Sequence, residues 1–289
     1  MKQKYPLQTS KNPLPWALAL NAFALLLGLG GGHPGGAAHA ASTASTASVS
    51  RTERIATTKK LRVCIWPDYY GVSFRNPKTL EVSGVDADLA ADFAKDLGVS
   101  LEFVESSFAK LVQDVESDRC DVAMFAVGVT PERQKKLRFT APTMESDIFA
   151  IAANTNRRIK AWGDIDRAGN VVAVMRGTLH EPVMRAGLKS AELLVLDTPM
   201  AREQEVQSGR ADVFMTDFPY SRRMLETTDW AKVIAPEVPY HLTPYAYAVA
   251  PGDDRWFARV EQFVRDIKKD GRLLKAAARY KLDPIVVRK

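Results

Sequence analysis

Arg133 and Asp217 are the two charged side chains whose placement suggests chemistry. The first lies in Gly128-Val129-Thr130-Pro131-Glu132-Arg133, at the start of a predicted helix. The second closes Gly209-Arg210-Ala211-Asp212-Val213-Phe214-Met215-Thr216-Asp217, at the end of a predicted strand. Each follows a segment of one design: a charged turn, an aspartate, then an apolar strand. Arg119-Cys120-Asp121-Val122-Ala123-Met124 is echoed by Arg210-Ala211-Asp212-Val213-Phe214-Met215. A guanidinium grips a carboxylate through two parallel hydrogen bonds, and a helix start adds free N–H groups. A guanidinium from one half and a carboxylate from the other therefore suit the two charged ends of a free amino acid. The bland readings are a solvated arginine beside Lys135 and Lys136, and an aspartate that only caps the helix containing Pro219. Asp121 and Asp212 read as residues fixing the turns before their strands.

Other chemistries find less support. Ser107-Phe108-Ala109-Lys110 matches S-x-x-K, but no Ser-Asp-Asn or Lys-Thr-Gly follows, and Ser107 reads as a helix cap. Gly30-Gly31-Gly32-His33-Pro34-Gly35 fits G-x-G-x-x-G without a preceding strand and with Pro34 inside it, so no nucleotide site is expected. Beyond residue 40 the histidines are His180 and His241, far apart, with no tight Cys/His cluster, so neither a metal nor another cofactor is expected.

The chain has 289 residues, 46% hydrophobic and 26% charged, enough for a full core in two lobes. Its formal charge is +6, of which Lys2, Lys4 and Lys11 supply half. The remaining +3 is too slight to argue for nucleic acid. Residues 1–40 read as a signal peptide: early lysines, an apolar stretch over 14–29, and Ala38-His39-Ala40 as a cleavage pattern. No cysteine marks a lipid anchor there. Residues 41–59, rich in Ala, Ser and Thr, read as a disordered linker, with order from Lys60. Cys64 and Cys120 have a compartment that permits a disulfide. Their offset along adjacent parallel strands points to Cα atoms more than about 7 Å apart, and so to two buried free thiols.

These residues need strands and helices to hold them. Strands are predicted over 61–65, 101–104, 122–127, 171–175, 193–196 and 212–216, alternating with helices. Asp86 caps a helix ending at Gly98, Ser106 or Ser107 one ending at Glu116, and Thr178 one with Glu181 in a capping box. Thr130-Pro131 and Thr198-Pro199 open two more. Helices over 254–269 and 272–280, split at Gly271, close the chain. Alternation implies parallel-type sheets flanked by helices, and ligands in such folds bind beyond the carboxyl ends of the strands. Trp66 to Phe74, Gly128 to Arg133, Gly177-Thr178 and Asp217 all fall there.

Several runs, in this order and spacing, resemble one family. They are Leu61-Arg62-Val63, Gly84-Val85-Asp86-Ala87-Asp88-Leu89-Ala90, Asp121-Val122-Ala123 and Thr130-Pro131-Glu132-Arg133. Phe139-Thr140-Ala141-Pro142, Gly177-Thr178 and Ser208-Gly209-Arg210-Ala211-Asp212 complete the set. The chain resembles the family 3 bacterial extracellular solute-binding proteins over residues 60–283. That family comprises periplasmic receptors of polar amino-acid ABC transporters. The resemblance implies a two-lobed type II periplasmic-binding-protein fold: lobe 1 from 60–149 plus 250–289, lobe 2 from 150–249, with hinges near 149–154 and 245–250. It implies a monomeric periplasmic protein whose partners are a small ligand and a membrane permease.

By position, the resemblance puts Arg133 on the ligand carboxylate, Asp217 on the ammonium and Tyr69 over the ligand. Phe125, Ala126 and Gly128 line the first lobe, and Gly177 and Thr178 make the second lobe's contact. Trp66 joins them from an aromatic loop that reads as a pocket wall. The chain departs from the family pattern at Trp66-Pro67-Asp68-Tyr69-Tyr70-Gly71-Val72, at Phe125 and at Leu179. These changes add apolar surface and weigh against a strongly polar ligand side chain. Some relatives are cyclohexadienyl dehydratases, which act on prephenate or arogenate and need an acid in the cleft; Glu181 lies near the right helix start, but its capping role accounts for it. A sensor module reporting a ligand to another protein is the third reading.

Overall fold

The computed structural model describes residues 50–288. The expected signal peptide and residues 41–49 of the expected linker lie outside the described residues.

In chain order the strands are β1 (Lys60–Ile65), β2 (Phe74–Arg75), β3 (Val82–Ser83), β4 (Ser100–Glu105), β5 (Val122–Gly128), β6 (Arg138–Phe139) and β7 (Met144–Ser146). They continue as β8 (Phe149–Ala153), β9 (Val171–Met175), β10 (Glu192–Leu196), β11 (Val213–Thr216), β12 (Ala231–Ile234) and β13 (Thr243–Val249). The helices are α1 (Arg51–Thr58), α2 (Val85–Leu97), α3 (Leu111–Glu116), α4 (Pro131–Gln134), α5 (His180–Gly187), α6 (Pro199–Gln207), α7 (Phe218–Thr227), α8 (Asp254–Lys269) and α9 (Arg272–Arg279).

Two sheets result. The first runs β4-β1-β5-β13-β6, with β7 also on β13; the second runs β10-β9-β11-β8-β12. The βαβ repeats supply the parallel pairs, whereas β13 in the first sheet and β8 in the second run antiparallel to their neighbours. Both antiparallel strands follow a crossing between sheets. The crossings lie at Asp147–Ile148, between β7 and β8, and within 235–242, between β12 and β13. These positions precede the expected hinges. Residues 243–249, expected in the second lobe, are β13 and pair with β5 in the first sheet.

The echoed aspartates have matching structural roles. Asp121 accepts from the backbone N–H of Arg62 at 2.8 Å and donates its own N–H to the Arg62 carbonyl at 2.8 Å. Asp212 makes the same pair of bonds with Val171, at 2.9 and 2.9 Å. Each aspartate thus registers its strand against the neighbour, and each is paired with an arginine, Arg62 or Arg158. The turn reading of both residues holds.

Two expectations fail. Residues 51–58 are a helix, not a linker. Ser50 caps it, accepting from Thr52 N–H at 3.3 Å, and Ile55 buries itself in the core. Its start is tied to α8, because Asp253 accepts from Arg51 N–H at 2.7 Å and from Ser50 Oγ at 3.1 Å. That apolar residue and two hydrogen bonds to Asp253, one from backbone and one from the Ser50 hydroxyl, order a segment whose composition alone argued against folding.

Cys64 and Cys120 form a disulfide, with Cα atoms 5.5 Å apart. The strand offset was read correctly, since Cys64 is opposite Ala123. However, the chain before β5 is not extended: after Asp118, at φ 60°, it turns and brings Cys120 back toward Cys64.

A bridge spanning 56 residues restrains the unfolded chain. Replacing both cysteines by alanine is expected to lower stability by about 2–4 kcal/mol in urea unfolding. An unchanged midpoint and slope would show that the bridge contributes nothing.

Candidate functional site

The carboxyl ends of β5, β9 and β11 converge on one cleft between the sheets. On the first-sheet side, Thr130 caps α4 by accepting from Arg133 N–H at 3.3 Å, and Pro131 occupies the first helical position. This tight turn points Arg133 back over the strand end. One terminal nitrogen donates to the Gly128 carbonyl at 2.8 Å, and the other crosses to the Gly177 carbonyl of the second lobe at 3.1 Å. Among the described residues no carboxylate pairs with it. Burial lowers its pKa to about 10, so it stays charged at neutral pH.

Asp86 helps shape this wall, although not as a helix cap. The cap position is Gly84, at φ 130°, where a Cβ would lie 2.3 Å from the Val72 carbonyl oxygen. Asp86 instead accepts from Ala126 N–H at 2.7 Å and from the Tyr247 hydroxyl at 3.2 Å. The first bond holds Ala126 at φ 50°, a left-handed conformation that a non-glycine residue adopts only under restraint. Burial pushes Asp86 up to about 6.

Asp217 anchors the second-sheet side. It caps α7 by accepting from Tyr220 N–H at 3.1 Å, and its other oxygen accepts from the hydroxyls of Tyr245, at 2.8 Å, and Tyr69. Tyr69 comes from the aromatic loop after β1 and Tyr245 from β13, so first-lobe elements hold a second-lobe carboxylate. Burial raises the Asp217 pKa, while the hydrogen bonds oppose that rise. Burial, then the Asp217 charge, lifts both tyrosines well above their ordinary value, so they remain donors.

The β9–α5 junction is tight. Gly177 sits at φ 76°, and a Cβ there would lie 2.6 Å from the Ala109 backbone nitrogen across the cleft. The expected capping box is only half formed. Glu181 reaches back to accept from Gly177 N–H at 3.0 Å, but the Thr178 hydroxyl donates to the Met175 carbonyl at 2.7 Å. With its proton committed there, Thr178 Oγ1 accepts from His180 Nδ1, at 3.3 Å. Among the described residues Nε2 is buried without a well-aligned hydrogen-bond partner, and the Thr216 backbone beside the ring favours its protonated form. Burial, with the nearby Arg202 and Arg133 cations adding, lowers the His180 pKa to about 3. Glu181 pairs with Arg185 and does not line the cleft.

Of the residues picked from sequence, Trp66, Tyr69, Ala126, Gly128, Arg133, Thr178 and Asp217 line this single cleft. Phe125 does not. It packs behind the wall, its ring 5.2 Å from that of Phe108, which takes the lining place. Gly177 contributes its carbonyl to Arg133 rather than a stretch of wall. Sequence reasoning missed His180, Arg202, Tyr220 and Tyr245. A signal for Arg202 existed: it follows Thr198-Pro199 much as Arg133 follows Thr130-Pro131. The cavity volume is ≈ 20 Å³, about the room of one water molecule.

The sequence profile of the bacterial extracellular solute-binding proteins, family 3, matches residues 61–283, so the chain belongs to that family. It is 30% identical over 224 residues to a cyclohexadienyl dehydratase of Pseudomonas aeruginosa, covering 77% of this chain and 83% of that one. It is 24% identical to the L-cystine-binding protein of Escherichia coli, covering 67% and 72%. Among solved structures, an ancestral amino acid-binding protein described as a precursor of cyclohexadienyl dehydratase superposes with a TM-score of 0.74. That protein is 29% identical, with 80% of this chain and 99% of that one covered. The type II periplasmic-binding-protein fold is thereby established.

His180 makes a pH prediction. Its folded pKa is depressed, so below the ordinary value the unfolded chain takes up a proton that the folded chain refuses, and stability falls on acidification. Relative to His180→Gln, the wild type should lose about 2 kcal/mol in urea unfolding between pH 7.5 and pH 5.0. A gap between the two proteins that does not change with pH would contradict this.

Proposed function

We propose that the protein is an extracytoplasmic receptor that binds a free amino acid or close analogue between its lobes and presents it to an ABC permease. One observation carries the reading: Arg133 and Asp217, from opposite sheets, face one buried cavity, and each is hydrogen-bonded to the other lobe.

The exchange of partners on binding is chemically simple. Among the described residues the Arg133 side chain hydrogen-bonds only to two carbonyl oxygens, and a carboxylate offers its two nitrogens a charged, bidentate partner. Asp217 is held by neutral tyrosine hydroxyls, and an ammonium offers it a full opposite charge. Each replacement strengthens a contact in the buried cleft, where charge–charge attraction exceeds its value in water. A ligand touching both lobes favours the closed arrangement by its differential affinity for it, and closure marks the loaded receptor. An amino acid enters a cavity this small only after the lobes part about the crossings at Asp147–Ile148 and 235–242. In this reading residues 1–40 direct export and are removed, and the Cys64–Cys120 bridge suits an oxidising compartment.

The similarity to a cyclohexadienyl dehydratase supports a second reading. Dehydration needs a donor for the departing hydroxyl, with a pKa near the working pH. His180 is neutral with a pKa lowered to about 3, Asp217 is engaged by three hydrogen-bond donors, and Glu181 lies outside the cleft. The cleft chemistry therefore favours binding without turnover, and purified protein is expected to leave prephenate and arogenate unchanged. Steady product release from either would favour the enzyme.

A thermal-shift screen of the twenty common amino acids should find at least one that stabilises the protein, by about 2.7 kcal/mol at 100 times its dissociation constant. Arg133→Ala leaves the ligand carboxylate without its charged partner and should weaken that binding about a hundredfold or more in calorimetry. Undiminished affinity in this variant would remove the central contact.

A further inference from the structure

Arg202 is the charge that the account so far leaves unbalanced. It lies in the first turn of α6, is 2% exposed, and lines the same cavity as Arg133 and Asp217. One terminal nitrogen donates to the Met215 carbonyl at 2.8 Å, while Nε is buried with no acceptor among the described residues. The guanidinium is sandwiched between Phe214, 4.7 Å from the ring centroid, and Tyr220, at 4.3 Å. The adjacent carboxylate is engaged elsewhere: Glu203 pairs with Arg223 at 2.6 Å and accepts from the Tyr220 hydroxyl. Asp217 acts on Arg202 only through space, since among the described residues no carboxylate forms an ion pair with Arg202.

The lining residues of the cleft thus carry two arginines and one aspartate, with His180 neutral. A zwitterion brings one charge of each sign and leaves a buried positive charge in excess, which is costly in a dry interior. A ligand with one further negative charge cancels it. Resting on the receptor reading above, we propose that Arg202 forms a second anion subsite and that the protein selects amino acids with an acidic side chain. Trp66, Phe108 and Leu179 then wall the ligand's methylene groups, while Arg202 receives the distal carboxylate. This reverses the expectation that weighed against a strongly polar ligand side chain, which considered the hydrogen-bonding groups lost at 66–72, Phe125 and Leu179 and overlooked the Arg202 cation.

Calorimetry with L-aspartate, L-glutamate, L-asparagine, L-glutamine and L-arginine tests the proposal. The expected result is that aspartate or glutamate binds at least about a hundredfold more tightly than its own amide and than arginine, and that Arg202→Met reduces this ratio to below about tenfold. Arg202→Lys, which keeps the charge, should retain most of the preference. A purely structural arginine would change the melting temperature of these variants without moving the ratio, and that outcome overturns the proposal. Amide or arginine binding to the wild type as tightly as the acids overturns it too, while leaving the receptor reading in place. If none of the twenty amino acids binds the wild type, both fall together. The wild-type ratio decides the matter even where a variant fails to fold.

Discussion

A buried carboxylate held by hydroxyls from the opposite lobe is the interaction on which this architecture turns. Asp217 belongs to the second sheet's strand-to-helix junction, yet Tyr69 and Tyr245 reach it from the first-lobe side. Burying an ion is costly unless its lone pairs are satisfied. The fold therefore has to bring three separate segments to one atom group. β13 has a large part in this, because it returns from the second sheet carrying two tyrosines. Tyr245 donates to Asp217 and Tyr247 donates to Asp86, so one strand supports both walls of the cleft. Asp86 in turn restrains Ala126 in its left-handed turn at the end of β5.

The two lobes share a construction that reaches beyond their sheets. Asp121 and Asp212 register their strands by the same pair of backbone bonds, and Thr130-Pro131 and Thr198-Pro199 open helices that each deliver an arginine to the cleft. The arginines then diverge. Arg133 spends its nitrogens on carbonyls of both lobes and is free to exchange them for a carboxylate. Arg202 is fixed between two aromatic rings with one carbonyl contact, which holds its charge in place at low conformational cost. A cleft with one arginine matches a neutral zwitterion, whereas the second changes the charge its occupant must carry.

Much of this was legible in the chain itself. Six predicted strands formed within a residue or two of their expected bounds, because apolar runs bounded by turn residues have few alternatives. That Arg133, Asp217 and Tyr69 would line one cleft was readable because clefts in such folds open beyond the strand ends. What stayed hidden depended on tertiary partners. Helix α1 forms through Asp253 and the core site for Ile55, neither of which its own composition announces. The disulfide depends on the turn before β5, where Asp118 sits at φ 60°, and the crossing positions on which sheet β13 joins. Tyr245 and His180 reach the cleft through packing, and no local pattern distinguishes them from core residues.

The most direct check of the two-charge clamp removes the ligand's charges one at a time. For the amino acid that stabilises the protein most, calorimetric affinities should be compared with those of its carboxamide and its N-acetyl derivative. If Arg133 and Asp217 hold opposite ends of a zwitterion, each derivative loses about a hundredfold or more. If either derivative binds as tightly as the parent, that end of the ligand is not held by a buried charge, and the clamp as described here is wrong.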